Sequence, residues 1–124
     1  KNALNSYVIG NETHLINVLV NILDNAIKYN DNIPEIKVET QNINDKIFIN
    51  IIDNGIGMSK SVQSKIFEKF YRKQTGDLHD VKGHGLGLAY VKKIINFHNG
   101  NISVESVIGD GSTFTIQLNT LTNY

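Results

Sequence analysis

The chain has no cysteine, so it can form neither a disulfide nor a thiolate metal site. A reducing compartment is thereby allowed. It has no excess of either charge. Lys plus Arg and Asp plus Glu balance at 12 each, which leaves no global basic field to draw in nucleic acid or a membrane surface. An anionic ligand would have to be held by local geometry. No apolar run approaches the ~18 residues a membrane helix needs, and no signal peptide is visible. There are no repeats, no low-complexity tracts and one proline, Pro34. What is there, at 124 residues with 40% hydrophobic and 19% charged, is one domain of ordinary globular composition, able to bury a single core. It starts at Lys1 and its one methionine is Met58, so a piece of a longer protein is expected.

The most informative stretch is Asn17-Val-Leu-Val-Asn-Ile-Leu-Asp-Asn-Ala-Ile-Lys-Tyr-Asn30. Leu15, Leu19, Ile22, Leu23, Ala26 and Ile27 recur at three- and four-residue spacing, the apolar stripe of a helix. Asn11 is placed to cap its start, with Glu12 in the first turn, and the Asn-Asp-Asn run before Pro34 stops it near Asn30. The opposite stripe carries Asn17, Asn21, Asp24, Asn25 and Lys28. Each asparagine costs roughly half a kcal/mol of helix propensity relative to alanine, so three of them oppose the element that holds them. The plain alternative is a solvated helix in an asparagine-rich chain.

Around this helix the pattern is α+β. Residues 3–9 alternate loosely, as a short edge strand would. Residues 35–40 and 46–52 alternate about a turn at 42–45 and read as an antiparallel hairpin. Asp53-Asn-Gly-Ile-Gly57 breaks the second strand, and residues 61–67 form a short helix at most. Residues 72–82 lack periodicity and read as a loop. Gly83-His-Gly-Leu-Gly87 opens a helix with apolar positions Leu88, Val91, Ile94, Ile95 and Phe97, closed by Asn99-Gly100. Residues 102–107 and 113–118 are two strands around Gly109-Asp-Gly111, and residues 120–124 a frayed tail. The expected fold is a two-layer α+β sandwich, with a mixed, mostly antiparallel sheet and helices on one face.

Three stretches carry chemistry. Glycines directly before a helix let its free N–H groups approach phosphate oxygens, although a glycine-rich turn often merely caps a helix. Gly83-x-Gly-x-Gly87 is neither a Walker loop nor a Rossmann fingerprint. Asp53 after a buried strand could accept from an exocyclic amine while Gly55 and Gly57 let a flat ring slide along the backbone; otherwise the stretch is a tight turn. The helical asparagines offer neutral oxygens, which Mg²⁺ accepts when substrate phosphates complete its shell. Lys28 could reach the same phosphates and Tyr29 could cover a base.

In this order the motifs resemble a family. Asn21-x-x-x-Asn25-Ala-x-Lys-Tyr29 looks like the N box of sensor histidine kinases, Asp53-x-Gly-x-Gly57 their G1 box, and Phe67-x-x-Phe70 the F box. Gly83-x-Gly-Leu-Gly-Leu88 looks like the G2 box, and Gly109-x-Gly-Ser-Thr113 with Phe114 the closing glycine segment. The resemblance runs from about Asn11 to Leu118 and points to the Bergerat-fold ATPase superfamily. It implies a catalytic domain that binds ATP and Mg²⁺. Asp53 would receive the adenine amine, Asn21 and Asn25 would hold metal and phosphate, Lys28 and Arg72 would face phosphates, and Tyr29 the adenine. The site would be completed by Gly55, Gly57, Met58, Phe70, Tyr71, Gly83, His84, Gly85, Leu86, Gly87, Leu88 and Thr113, with 71–82 as the ATP lid.

Hydrolytic relatives place a glutamate base four residues before the metal-binding asparagine. Here that position is Asn21, which cannot take a proton, so phosphate transfer is expected rather than fast hydrolysis. The acceptor would be a histidine followed by an acidic residue on a separate dimerisation domain of the same parent protein. Only His79-Asp80 imitates that pair, inside the expected lid. A response regulator would be an indirect partner, and the parent a membrane-anchored sensor with this domain in the cytoplasm, touching neither the membrane nor nucleic acid. The competing readings are a stand-alone serine kinase of the anti-sigma type, and a non-catalytic module binding nucleotide or a partner.

Overall fold

The computed structural model of the chain describes residues 7–68 and 87–120. Phe70, Tyr71, Arg72, Gly83, His84, Gly85 and Leu86, the expected lid and His79-Asp80 lie outside the described residues.

The elements run α1 (Glu12–Lys28), β1 (Ile36–Ile43), β2 (Lys46–Asp53), α2 (Lys60–Gln63), α3 (Gly87–Phe97), β3 (Asn101–Val107) and β4 (Gly111–Asn119). The strands form one sheet in the order β1-β2-β4-β3. Every neighbouring pair is antiparallel, where some parallel pairing had been allowed for. Each hairpin turns on a residue with positive φ: Asn44 at 55° between β1 and β2, and Gly109 at 90° between β3 and β4. Asparagine and glycine are the residues that tolerate this region.

Side chains alternate across a strand, so one face of the sheet collects every second residue. On β2 that face carries Ile47, Ile49, Ile51 and then Asp53; on β4 it carries Ser112, Phe114, Ile116 and Leu118; on β3, Ile102, Val104 and Ser106. The register stacks them into rungs: Ile47 with Leu118, Ile49 with Ile116 and Ile102, Ile51 with Phe114 and Val104, and finally Asp53 with Ser112 and Ser106. The hydrocarbon rungs form the core. The last rung is polar.

Both long helices cover this face. α1 buries Val18, Ile22 and Ala26, with Leu15, Leu19 and Leu23 half-buried beside them. Val18 belongs to the stripe and Ile27 does not. At 3.6 residues per turn Ile27 lies about 140° round from Ile22, and it is 54% exposed. α3 buries Leu88, Val91, Ile94 and Ile95, whereas Phe97 points the other way and is 81% exposed.

The helix ends are closed much as their sequences suggest. The Asn11 side chain accepts from the His14 N–H at 2.9 Å. Asn99 adopts φ 59° and the Gly100 N–H donates to the Ile95 carbonyl at 2.9 Å, a Schellman closure of α3. His98 joins the two caps. The Asn11 N–H donates to its Nε2 at 3.0 Å, so its Nδ1 carries the hydrogen and donates to the Ile94 carbonyl at 2.8 Å.

Two expectations change at the ends of the chain. Residues 7–9 are not a strand; Val8 packs on the core while Tyr7 and Ile9 are exposed. Thr120 is buried and its N–H donates to the Asp45 carbonyl at 2.8 Å, so the chain is still held past β4. α2 is a short helix as expected near residues 61–67, a single turn beginning at the Ser59 cap.

Ile116 is 1% exposed at the centre of the middle strands. Ile116→Ala is expected to cost about 2–5 kcal/mol, read as a lower midpoint in denaturant unfolding.

Candidate functional site

The site begins where the isoleucine row of β2 ends. Asp53 is only 9% exposed, and its Oδ1 accepts from the Gly55 N–H at 2.8 Å and the Ser112 N–H at 3.2 Å. Burial pushes its carboxyl above the ordinary 3.8, while those two backbone donors pull it down; burial is the larger effect. A side chain on Gly55 would run into the Tyr29 carbonyl and Asp53 Oδ1. Gly57, at φ 77°, lies against the Val107 carbonyl with no room for a Cβ. Glycine is required at both positions by close packing of the turn onto its neighbours.

A cavity of about 40 Å³ opens beside Asp53, lined by Asn25, Ala26, Tyr29, Met58, Ile66, Ser112 and Phe114. That is room for about one water. Its walls are mainly hydrocarbon, with the carboxylate at one end. Met58, with its flexible thioether, is the wall residue best suited to give way.

The asparagine stripe of α1 spreads along this end of the sandwich. Asn25 is half-buried and faces the cavity. Asn21 lies a turn earlier; its Nδ2 donates to the Asn17 carbonyl at 2.7 Å, which leaves its Oδ1 turned towards α3. A Cβ placed on Gly87, the first residue of α3, would sit 3.2 Å from that oxygen. No acidic residue occupies the first turn of α3 to oppose an anion there. Lys28 is drawn to its own helix, with Nζ 2.9 Å from Asp24 Oδ2. Both groups are solvent-accessible, so the pair contributes about 0.3–0.5 kcal/mol and yields readily to a stronger anion.

The structure therefore gathers Asn25, Tyr29, Asp53 and Met58 at one cavity, with Gly55 packed against Tyr29 and Asp53 and, elsewhere on α1, Asn21 turned towards Gly87. Leu88 is 7% exposed and belongs to the core. Thr113 is half-buried on the opposite face of β4; the residue beside Asp53 is Ser112. Ser112 was legible in principle, since it precedes Phe114, Ile116 and Leu118 at every second position.

Two supporting side chains carry no sequence signal beyond being polar. Asn54 Oδ1 accepts from Asn30 Nδ2 at 2.6 Å and the Glu35 N–H at 2.8 Å, and its Nδ2 donates to the Ile33 carbonyl at 3.1 Å. With the Ile56 N–H donating to the Tyr29 carbonyl at 3.0 Å, this ties the turn after β2 to the chain leaving α1. Gln63 Nε2 donates to the Met58 and Ser106 carbonyls, each at 2.9 Å, and fastens α2 over the cavity.

A buried carboxylate thus ends an antiparallel sheet whose one face is covered by helices, and the asparagine-bearing helix α1 contributes Asn25 to the same cavity. The profile of the Histidine kinase-, DNA gyrase B-, and HSP90-like ATPase family matches residues 10–122. The chain is 50% identical over 125 residues to the sensor protein RprX of Bacteroides fragilis, covering 98% of this chain and 24% of that protein. It is 37% identical over 111 residues to the sensor-like histidine kinase SenX3 of Mycolicibacterium smegmatis, covering 90% of this chain and 29% of that one. Its fold superposes on the mycobacterial sensor histidine kinase MprB with a TM-score of 0.80 at 27% identity, over 97% of this chain and 80% of that structure. The chain belongs to the histidine kinase-, DNA gyrase B- and HSP90-like ATPase family, and it is a catalytic ATPase domain of the histidine kinase kind. It spans about a quarter of the length of these curated relatives.

An acid whose value is raised on folding holds its proton more tightly folded than unfolded. Its contribution to stability is most favourable below the unfolded value, and is lost as pH rises through the raised folded one. Asp53→Asn keeps the Oδ1 acceptor and removes the charge. It is expected to raise Tm at pH 7, with the gain vanishing at pH 3, in thermal melts across that range.

Proposed function

We propose that this domain binds Mg²⁺-ATP with the adenine amine on Asp53, and transfers the γ-phosphate to a histidine on a separate phosphoacceptor and dimerisation domain. The observation that carries the reading is the buried Asp53 carboxylate at the end of a hydrocarbon-walled cavity. Burial makes that charge costly, and an amine donating to its free lone pairs offsets the cost. A purine is several times larger than the cavity, so the ring enters by displacing Met58 or sits partly in the mouth, under Tyr29.

Asn21 and Asn25 suit a magnesium ion. Their amide oxygens are hard, neutral donors, and the oxygen of Asn21 faces the start of α3. Phosphate oxygens and water would complete the shell of such an ion. When bound, the ion would neutralise charge on the phosphates. Lys28 leaves Asp24 for the nucleotide, and the first turn of α3 offers N–H groups to the same oxygens. Asn21 cannot act as a base towards water, which suits transfer over hydrolysis.

The acceptor histidine belongs to another part of a longer sensor kinase, and a response regulator receives the phosphoryl group afterwards. The relatives, sensor kinases about four times as long as the matched segment, support that reading. Among the described residues no helix is long and apolar enough to cross a membrane. We place this domain on the cytoplasmic side of an anchored parent.

Calorimetric titration with a non-hydrolysable ATP analogue tests the pocket. Binding should strengthen with Mg²⁺ and be lost in Asp53→Ala, and a folded chain that ignores millimolar analogue would overturn the assignment. The isolated chain should also turn over ATP slowly. A fast steady rate of phosphate release would count against a transferase.

A further inference from the structure

The polar rung holds a third group that the reading so far does not use. Ser106 lies directly opposite Ser112, which is itself opposite Asp53. Ser106 Oγ has three polar neighbours. The Met58 N–H donates to it at 2.7 Å, the Gly111 carbonyl oxygen lies at 2.8 Å, and Ser112 Oγ also lies at 2.8 Å.

A hydroxyl has one hydrogen and two acceptor positions. A carbonyl oxygen only accepts, so the Ser106 hydrogen goes to Gly111. Met58 takes one acceptor position. The third contact is then a hydrogen bond only if Ser112 donates to Ser106. The reverse assignment leaves the Ser106 and Gly111 oxygens 2.8 Å apart with no hydrogen between them, in a part-buried place where an unmade bond is penalised most. The Ser112 hydrogen is therefore turned towards Ser106. With its hydrogen committed, the Ser112 hydroxyl has only lone pairs to offer any further partner, and Ser112 lines the same cavity as Asp53.

We propose that Ser106 is a positioning residue for base selection: by holding the Ser112 hydrogen it makes Ser112 an acceptor, so the cavity favours a 6-amino purine over a 6-oxo purine. The inference rests on the nucleotide reading above. The exocyclic amine of a 6-amino purine brings two hydrogens to a place furnished with acceptors. A 6-oxo purine can still give its ring N–H to Asp53, but its oxygen then faces the lone pairs of Ser112 and is repelled. Without Ser106 the Ser112 hydroxyl is free to rotate and donate to that oxygen.

The test is the ratio of affinities for ATP and inosine triphosphate, each titrated with Mg²⁺ into the whole chain. The wild type is expected to prefer ATP at least tenfold. Ser106→Ala should lower that ratio about fivefold, the worth of one neutral hydrogen bond, while Ser106→Thr, which keeps the hydroxyl, should hold it. A merely structural role would weaken both nucleotides equally and leave the ratio alone, which overturns the proposal, as does a wild type without preference. Should Ser106→Ala fail to fold, Ser112→Ala removes the acceptor itself and must lower the ratio too; an unchanged ratio there is equally fatal. A folded wild type that binds neither nucleotide overturns the nucleotide reading and this inference together. ATP binding with a ratio indifferent to both serines overturns this inference alone.

Discussion

Asp53 stands where the alternation of β2 would place a fourth isoleucine, and the domain is arranged around that carboxylate. Three hydrocarbon rungs fix the spacing between sheet and helices, so the polar rung inherits a geometry it did not build. Two backbone N–H groups are aimed at one oxygen of the carboxylate, one from Gly55 in the turn after β2 and one from Ser112, which follows Gly111 at the start of β4. The acid is held in place by the backbone and left short of solvent. That is the condition in which an added donor matters most.

The two layers divide the labour between them. The sheet supplies groups that cannot move, because Asp53, Ser112 and Ser106 are each fixed by strand register. The helical layer supplies groups with reach: the amide of Asn21, the ammonium of Lys28, the ring of Tyr29. A purine ring demands the first kind of precision, and phosphates with their counter-ion tolerate the second. The sandwich places them on adjoining edges of a single opening.

Much of this could be read in the chain. Strand alternation and helix periodicity give the two layers, and the asparagine caps at Asn11 and Asn99 mark helix boundaries because few other residues serve there. What was not legible depends on azimuth and register. Ile27 and Phe97 satisfy a three-or-four spacing rule yet lie too far round their helices to be buried. Val18, three residues after Leu15 and four before Ile22, satisfies the same rule and is buried at 1% exposure, so spacing alone does not separate the buried positions from the exposed ones. Alternation along β4 puts Ser112, and not Thr113, on the core face, but only the pairing with β2 sets it beside Asp53. The Ser106 contacts join residues 48 positions apart in one case, beyond any local pattern.

The Asn54 clamp has a consequence for how such a domain can vary. Because that amide fastens the stretch around Asn30, Ile33 and Glu35 to the turn after β2, the wall bearing Tyr29 and the wall bearing Asp53 are hydrogen-bonded to each other rather than standing as two separate jaws. The width of the opening is then a property of a surface turn, outside the cavity itself. Lineages could retune how tightly the ring is gripped by editing that turn, while every residue that touches the ligand stays the same.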